Sequence, residues 1–155
     1  MFTVVLSGFA SGLPLGLTSS TMQAWMKDSG VDLSTIGAFA LVGVPYSLKF
    51  LWAPLLDRFT LPFLGRRRGW ILVWQVFLVT AITGMALVDP KVHPGVLALA
   101  AFLVAFGSAS QDIVIDAWRI EALLPSEYGA GAGAQTIGYR AAMLVSGAVA
   151  LALAD

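Results

Sequence analysis

No cysteine occurs anywhere in the chain, so neither a disulfide framework nor a thiolate metal site is possible, and the redox compartment leaves no mark. Histidine is almost as scarce: His93 stands alone among loop prolines, where a solvated side chain is expected rather than a ligand. A Ser-His-Asp set inside the spans is thereby excluded, and no G-x-x-x-x-G-K-[ST] loop is present to cradle ATP phosphates. Charge is thin as well. Asp, Glu, Lys and Arg make up only 12% of the residues, where a soluble domain carries about a quarter. Nine basic residues balance nine acidic ones, so no positive field points to nucleic acid. There is no low-complexity linker, second domain or convincing internal repeat.

What fills the chain is apolar: 58% hydrophobic residues and a mean hydropathy of +0.84. The surface of such a chain could not stay soluble, and a multi-pass membrane protein is expected. Five stretches, 2–26, 33–56, 69–88, 95–118 and 129–154, reach the roughly 20 residues needed to cross about 30 Å of hydrocarbon. They lack the alternation of barrel strands, so all five read as helices of one unit covering 1–155. The first is too long for a signal-peptide core and lacks a basic leader and a small-residue cleavage site. Arg58, Arg66, Arg67, Arg68 and Arg119 crowd into the second and fourth connections, while the first and third hold only Lys27 and Lys91. The positive-inside rule then makes the arginine loops and the N-terminus cytoplasmic and sends Asp155 to the opposite side.

Small residues suggest how the helices meet. Gly8, Gly12 and Gly16 share one face of the first span, and the fifth offers one row from Gly129 and Gly133 and another from Ala134 and Gly138. Such faces let backbones approach closely in lipid. Pro14 is the natural kink of the first span, and Pro45 and Pro54 give the second the same double reading of packing or bending. Trp25, Trp52, Trp70 and Trp118 lie toward span ends and fit an interfacial belt.

The buried charges are more informative. Counting along each helix puts Lys49 about 12 Å, Asp112 about 9 Å and Arg140 about 16 Å from the nearer edge. Each is expensive in lipid, by about 2.5–3.5 kcal/mol on the lenient scale, and each is expected to find a partner. Lys49 and Arg140 are long enough to reach Asp112. They form either ion pairs that lock helices together or a polar pathway for substrate or protons, and the pathway is preferred. In "SASQDIVIDAWR", Asp112, Asp116 and Arg119 make one helical stripe, with Asp116 and Arg119 spaced for an i, i+3 pair at the helix end.

Several stretches carry a resemblance. "LLDRFTLPFLGRRRG" is similar to the loop between helices two and three of major facilitator transporters, G-x-L-A-D-R-x-G-R-R, through Leu55, Asp57, Arg58, Gly65, Arg66 and Arg67. Ala53 stands where that pattern has its first glycine, and extra residues separate Phe59 from Gly65. Together with "SGLPLGLTSSTMQAWM", "GVPYSLKFLWAPLLDRF", "PFLGRRRGW", "SQDIVIDAWR" and "GYRAAMLVSGAVALALAD", it resembles the AmpG-type muropeptide permeases over nearly the whole chain.

The resemblance implies a major-facilitator-type bundle, here its first five transmembrane helices, in the bacterial inner membrane. It implies proton-coupled import of anhydromuropeptides from peptidoglycan turnover, with no cofactor and no metal. Acetyl-coenzyme A transporters are similar over these stretches and are the runner-up. Five helices fall short of one six-helix half, so the chain reads as an N-terminal fragment whose remaining helices are its partners.

The resemblance also gives the residues roles. The superfamily lines its cavity with helices one and four, which makes Gln23, Gln111 and Asp112 substrate or coupling residues, with Lys49 and Arg140 available to an anionic carboxylate. Asp112, poised between desolvation and a nearby cation, is the expected coupling carboxylate. Asp57 and Arg58 with Gly65, Arg66, Arg67 and Arg68 are expected to form a gating latch. Two other classes remain in view. An intramembrane prenyltransferase would use Asp112 and Asp116 to hold a magnesium diphosphate, although no second aspartate-rich motif accompanies them. A purely structural helical subunit would need no site at all.

Overall fold

The computed structural model describes residues 1–154 except Ser29 and Phe63, and leaves undescribed the side chains at positions 19, 20, 33, 38, 40 and 149–154. Asp155, placed by the charge rule on the side opposite the arginine loops, lies outside the described residues. Among the described residues every regular element is helical. This is an all-α membrane helix bundle. Among the described residues three segments are long and apolar enough to cross a membrane, Ser34–Leu51, Arg68–Ala86 and Pro94–Ala122.

The first span is not one α-helix. α1 (Phe2–Gly16) passes through a π-turn (Leu17–Thr21) into α2 (Met22–Asp28). Pro14 lacks an N–H and its ring crowds the carbonyl of the preceding turn. The distortion is taken up one turn later, where Thr18 Oγ1 donates to the Pro14 carbonyl at 2.9 Å.

The second span departs further from a continuous helix. It runs as α3 (Leu33–Ala38), a 3₁₀ stretch (Phe39–Gly43), α4 (Val44–Leu48), a second 3₁₀ turn (Lys49–Leu51) and α5 (Ala53–Arg58). Pro45 and Pro54 stand at the starts of α4 and α5, where their missing N–H groups cost no helical bond, and the breaks fall just before them. Asp32 opens α3, accepting from Thr35 N at 2.9 Å, from Thr35 Oγ1 at 2.7 Å and from the Ser34 hydroxyl. These bonds hold its carboxyl below the usual carboxylate range.

α6 (Arg68–Ala86), α7 (Pro94–Ala122) and α8 (Tyr128–Ala154) are unbroken. α7 is the centre: more than half of it is buried within the bundle, whereas α6 is largely exposed. Its first half carries the apolar core, where Leu97, Ala101, Val104 and Ala105 meet Met22, Met26, Phe39, Val42, Leu78 and Met85.

α1 and α8 lie side by side and parallel. A methyl group at Gly8 would overlap the Gln135 carbonyl, one at Gly12 the Tyr139 carbonyl, and one at Gly138 the Val5 carbonyl. The glycine face of α1 is thus the contact surface, but only the Gly138 row of α8 answers it. Gly129 and Gly133 have open space where a side chain would be. They fall on the other side of α8 from the stripe that meets α1.

Candidate substrate and coupling site

The second half of α7 changes character. Ser108, Ser110 and Gln111 are fully buried, and Asp112 follows half-buried. One of the three polar groups is accounted for. Ser110 Oγ receives the Trp52 Nε1 proton at 3.0 Å and donates to the Phe106 carbonyl at 2.8 Å. Trp52 therefore turns into the bundle rather than joining an interfacial belt, its ring 5.0 Å from that of Phe106. Trp74 meets Phe106 and Phe77 edge-on behind it. Trp70 does sit near the arginine loop, donating to the Phe59 carbonyl at 2.8 Å.

The other polar atoms have no such partners. Ser11 Oγ, Tyr46 OH, Ser108 Oγ, both amide atoms of Gln111 and Asp112 Oδ1 are buried without a hydrogen bond among the described residues. They come from α1, α4 and α7. Tyr46 faces Ser108 and Ser11 faces Asp112, each short of normal hydrogen-bond geometry. Buried polar groups are almost always paired, so these atoms of the bundle have donor and acceptor capacity to spare.

The expected partners of Asp112 do not close on it. Lys49 is near enough for its charge to reach the carboxylate but makes no ion pair among the described residues. It sits in the 3₁₀ turn between α4 and α5, half-buried. Arg140 is exposed on α8, off the stripe through Gln135, Gly138, Tyr139 and Ala142 that meets α1. Neither forms the helix-locking pair that sequence spacing allowed. Gln23 is exposed on α2, at the end of the bundle away from the arginine loop, and is not brought to Asp112. Asp116 accepts from Arg119 at 3.4 Å and from Gln135 Nε2 of α8 at 3.0 Å. Asp112 and Asp116 thus serve different neighbours, which does not favour a shared magnesium between them.

A second site forms where the arginine loop meets the end of α7. Arg67 is only 8% exposed and bridges two carboxylates, Asp57 at 2.5 Å and Glu121 at 2.7 and 3.0 Å. The Glu121 bonds first, and Asp57 with them, hold its guanidinium above even its ordinary value. Arg66 donates to the Asp57 carbonyl at 2.9 Å, closing the C-terminus of α5. Gly65 has φ +79, so the loop needs glycine there. Arg58 and Arg68 are exposed. Glu121 was not anticipated. It lies beyond the recognisable loop pattern, and only the tertiary fold brings it to Arg67. Ser11, Tyr46, Ser108 and Gln135 were missed because lone hydroxyls and amides are ordinary in membrane helices. Only their convergence is unusual.

Two surface depressions lie at the end opposite the arginine loop, one lined by Trp25 and residues 86–91, the other by Gly30, Val31, Asp32, Thr35 and Pro94. Neither reaches Asp112.

Known proteins resemble the chain closely. It is 55% identical over 152 residues to the anhydromuropeptide permease of Escherichia coli K12, covering 98% of the chain and 31% of that protein. It is 46% identical over 154 residues to an uncharacterized protein of Haemophilus influenzae, covering 99% of the chain and 36% of that protein. The chain thus spans about a third of the length of the curated relatives it matches. A family model described as acetyl-coenzyme A transporter 1 matches residues 1–155. Matched by that model from end to end, the chain belongs to the acetyl-coenzyme A transporter 1 family, and stands there with the AmpG-type permeases.

Proposed function

We propose that the chain forms the first five helices of a major-facilitator-type transporter that imports anhydromuropeptides across the bacterial inner membrane in symport with protons. Its arginine loops and N-terminus are cytoplasmic. It acts as a permease, not an enzyme, in line with the names of its relatives. The polar cluster of α1, α4 and α7 contributes to the substrate cavity, and Asp112 is the coupling carboxylate. Asp57, Arg66, Arg67 and Glu121 hold the cytoplasmic ends of α5 and α7 together in one state of the cycle.

The observation that carries the substrate class is the chemistry of the cluster. It offers hydroxyls, an amide and one carboxylate, with a single lysine in range and Arg140 turned away. Sugar hydroxyls and peptide groups both donate and accept, and they match such a lining. The phosphates of acetyl-coenzyme A call for several converging cations. The family description keeps that substrate as the competing reading. Uptake of labelled anhydromuropeptide against labelled acetyl-coenzyme A by the full-length protein in proteoliposomes separates them. Accumulation of the second and not the first would sink the proposal. For coupling, Asp112→Asn is expected to abolish proton-driven uptake while sparing substrate counterflow. Uptake that keeps its proton dependence in that variant assigns coupling elsewhere.

A further inference from the structure

The arginine loop carries more cations than its junction uses. Three bonds fold it back on itself: Arg66 to the Asp57 carbonyl at 2.9 Å, Arg67 to the Asp57 carboxylate at 2.5 Å, and Trp70 Nε1 to the Phe59 carbonyl at 2.8 Å. Residues 57–59 are thereby held against 66–70, which brings Arg58, Arg66 and Arg68 to the same corner of the bundle. Asp57 and Glu121 are both taken by Arg67. The other three arginines are exposed and make no ion pair among the described residues. Beside them, Phe59 and Leu64 present exposed apolar side chains. Leu64 does so at φ +60, a left-handed backbone that bulky residues rarely adopt. Arg68 is the first residue of α6, a segment long and apolar enough to cross a membrane, so the loop lies where a span leaves the hydrocarbon.

We propose that this corner is a binding site for an anionic phospholipid, one whose headgroup carries a phosphate and no ammonium. Arg58, Arg66 and Arg68 supply N–H donors to the phosphate oxygens, which a guanidinium can engage two at a time. Phe59 and Leu64 meet the glycerol backbone and the upper acyl chains, which gives two exposed apolar side chains a partner. Topology alone asks for positive charge near the span and nothing of its arrangement. Here four guanidiniums share two carboxylates, and hydrogen bonds pin the loop, so the surplus charge stands at a fixed place. Each basic residue near an anionic lipid surface adds to the attraction. The ammonium of a zwitterionic headgroup would instead meet like charges. Arg67 stays with its two acids, so the lipid and the junction do not compete for it.

The test is binding of dioctanoyl phosphatidylglycerol to the full-length protein in a neutral detergent, followed by native mass spectrometry. It needs neither transport nor a given orientation in a membrane, so its failure leaves the transport reading untouched. Saturable binding is expected, and neither dioctanoyl phosphatidylcholine nor inorganic phosphate at the same concentration should displace the lipid. Arg58→Gln and Arg68→Gln should each weaken binding about fivefold, and the double variant about twenty-five-fold. Undiminished binding in the double variant overturns the site, and so does equal binding of phosphatidylcholine. Displacement by inorganic phosphate makes it a site for the free anion and overturns the lipid assignment. If the double variant does not reach the membrane, Trp70 carries the test in vesicles of phosphatidylcholine with either brominated phosphatidylglycerol or brominated phosphatidylcholine at equal fraction. Its emission is the difference between wild type and Trp70→Phe, and the anionic lipid should quench it more strongly. Equal quenching by the two lipids overturns the proposal.

Discussion

Neutralising Asp57 or Glu121 should loosen the arginine-loop junction by an amount the structure sets. Arg67 is buried, but its two carboxylate partners are about half exposed, 48% for Asp57 and 49% for Glu121. A fully exposed pair is worth about 0.2–1 kcal/mol, and breaking a fully buried one costs about 3–5 kcal/mol. One guanidinium buried against two half-solvated acids falls between these limits, at about 1–2 kcal/mol for each acid removed. If the junction forms in only one state of the cycle, that energy changes the ratio of the two states about tenfold. Asp57→Asn and Glu121→Gln should then each alter the initial uptake rate of the full-length protein several-fold. The double variant should cost more than the sum, because either acid alone still balances the guanidinium and removing both leaves a buried cation without a counter-charge. Neither change alters the count of positive charges that sets topology. Immunoblotting of membranes verifies insertion, and vesicle uptake reads the rate. Wild-type uptake by both correctly inserted variants would leave the arginines a topological role only.

Other expectations follow from packing and backbone. Gly8→Leu or Gly138→Leu should force α1 and α8 apart at about 2–3 kcal/mol, lowering the melting temperature in detergent. Gly129→Ala and Gly133→Ala should leave it unchanged, and equal effects at all four sites would contradict the parallel contact. Gly65→Ala should destabilise the arginine loop by about 1 kcal/mol through its left-handed backbone, read as faster proteolysis of the loop; an unchanged cleavage rate refutes it. For Asp32 the folded carboxyl lies below its unfolded value, so its capping contribution is complete above pH 4 and disappears as pH falls through the folded value. Amide exchange at Thr35 should therefore stay slow at pH 4 in wild type and become fast in Asp32→Ala, and equal rates in the two proteins would refute the cap.

How much of this was legible in the sequence depended on how local the cause was. Asp116 and Arg119 are one turn apart on one helix, and spacing alone brings them to 3.4 Å. The glycine face of α1 was equally plain, because three small residues at i+4 steps leave few other uses. Which glycines of α8 would answer it was not, since that depends on how the two helices are rotated. Pro45 and Pro54 announced a bend but not the 3₁₀ turns beside them. Lys49 and Arg140 were given depths and a partner, Asp112, and neither makes that ion pair among the described residues. Depth counts residues along a helix and says nothing of the direction around it. The hydroxyls near Asp112 belong to three helices far apart in the chain, and each alone is unremarkable in composition.

The contrast between the walls of the polar cluster has a mechanical side. On one flank, α1 is set so close against α8 that their backbones nearly touch, and such a pair behaves as a single stiff post. On the other, the second span is a run of short rods joined by proline-marked bends, none longer than six residues among its α-helical pieces. A load applied across the bundle distorts its most compliant member first. The Asp112 cluster is therefore bounded by one wall that holds its shape and one that yields. Tyr46 and Lys49 ride on the yielding wall, Ser11 on the post.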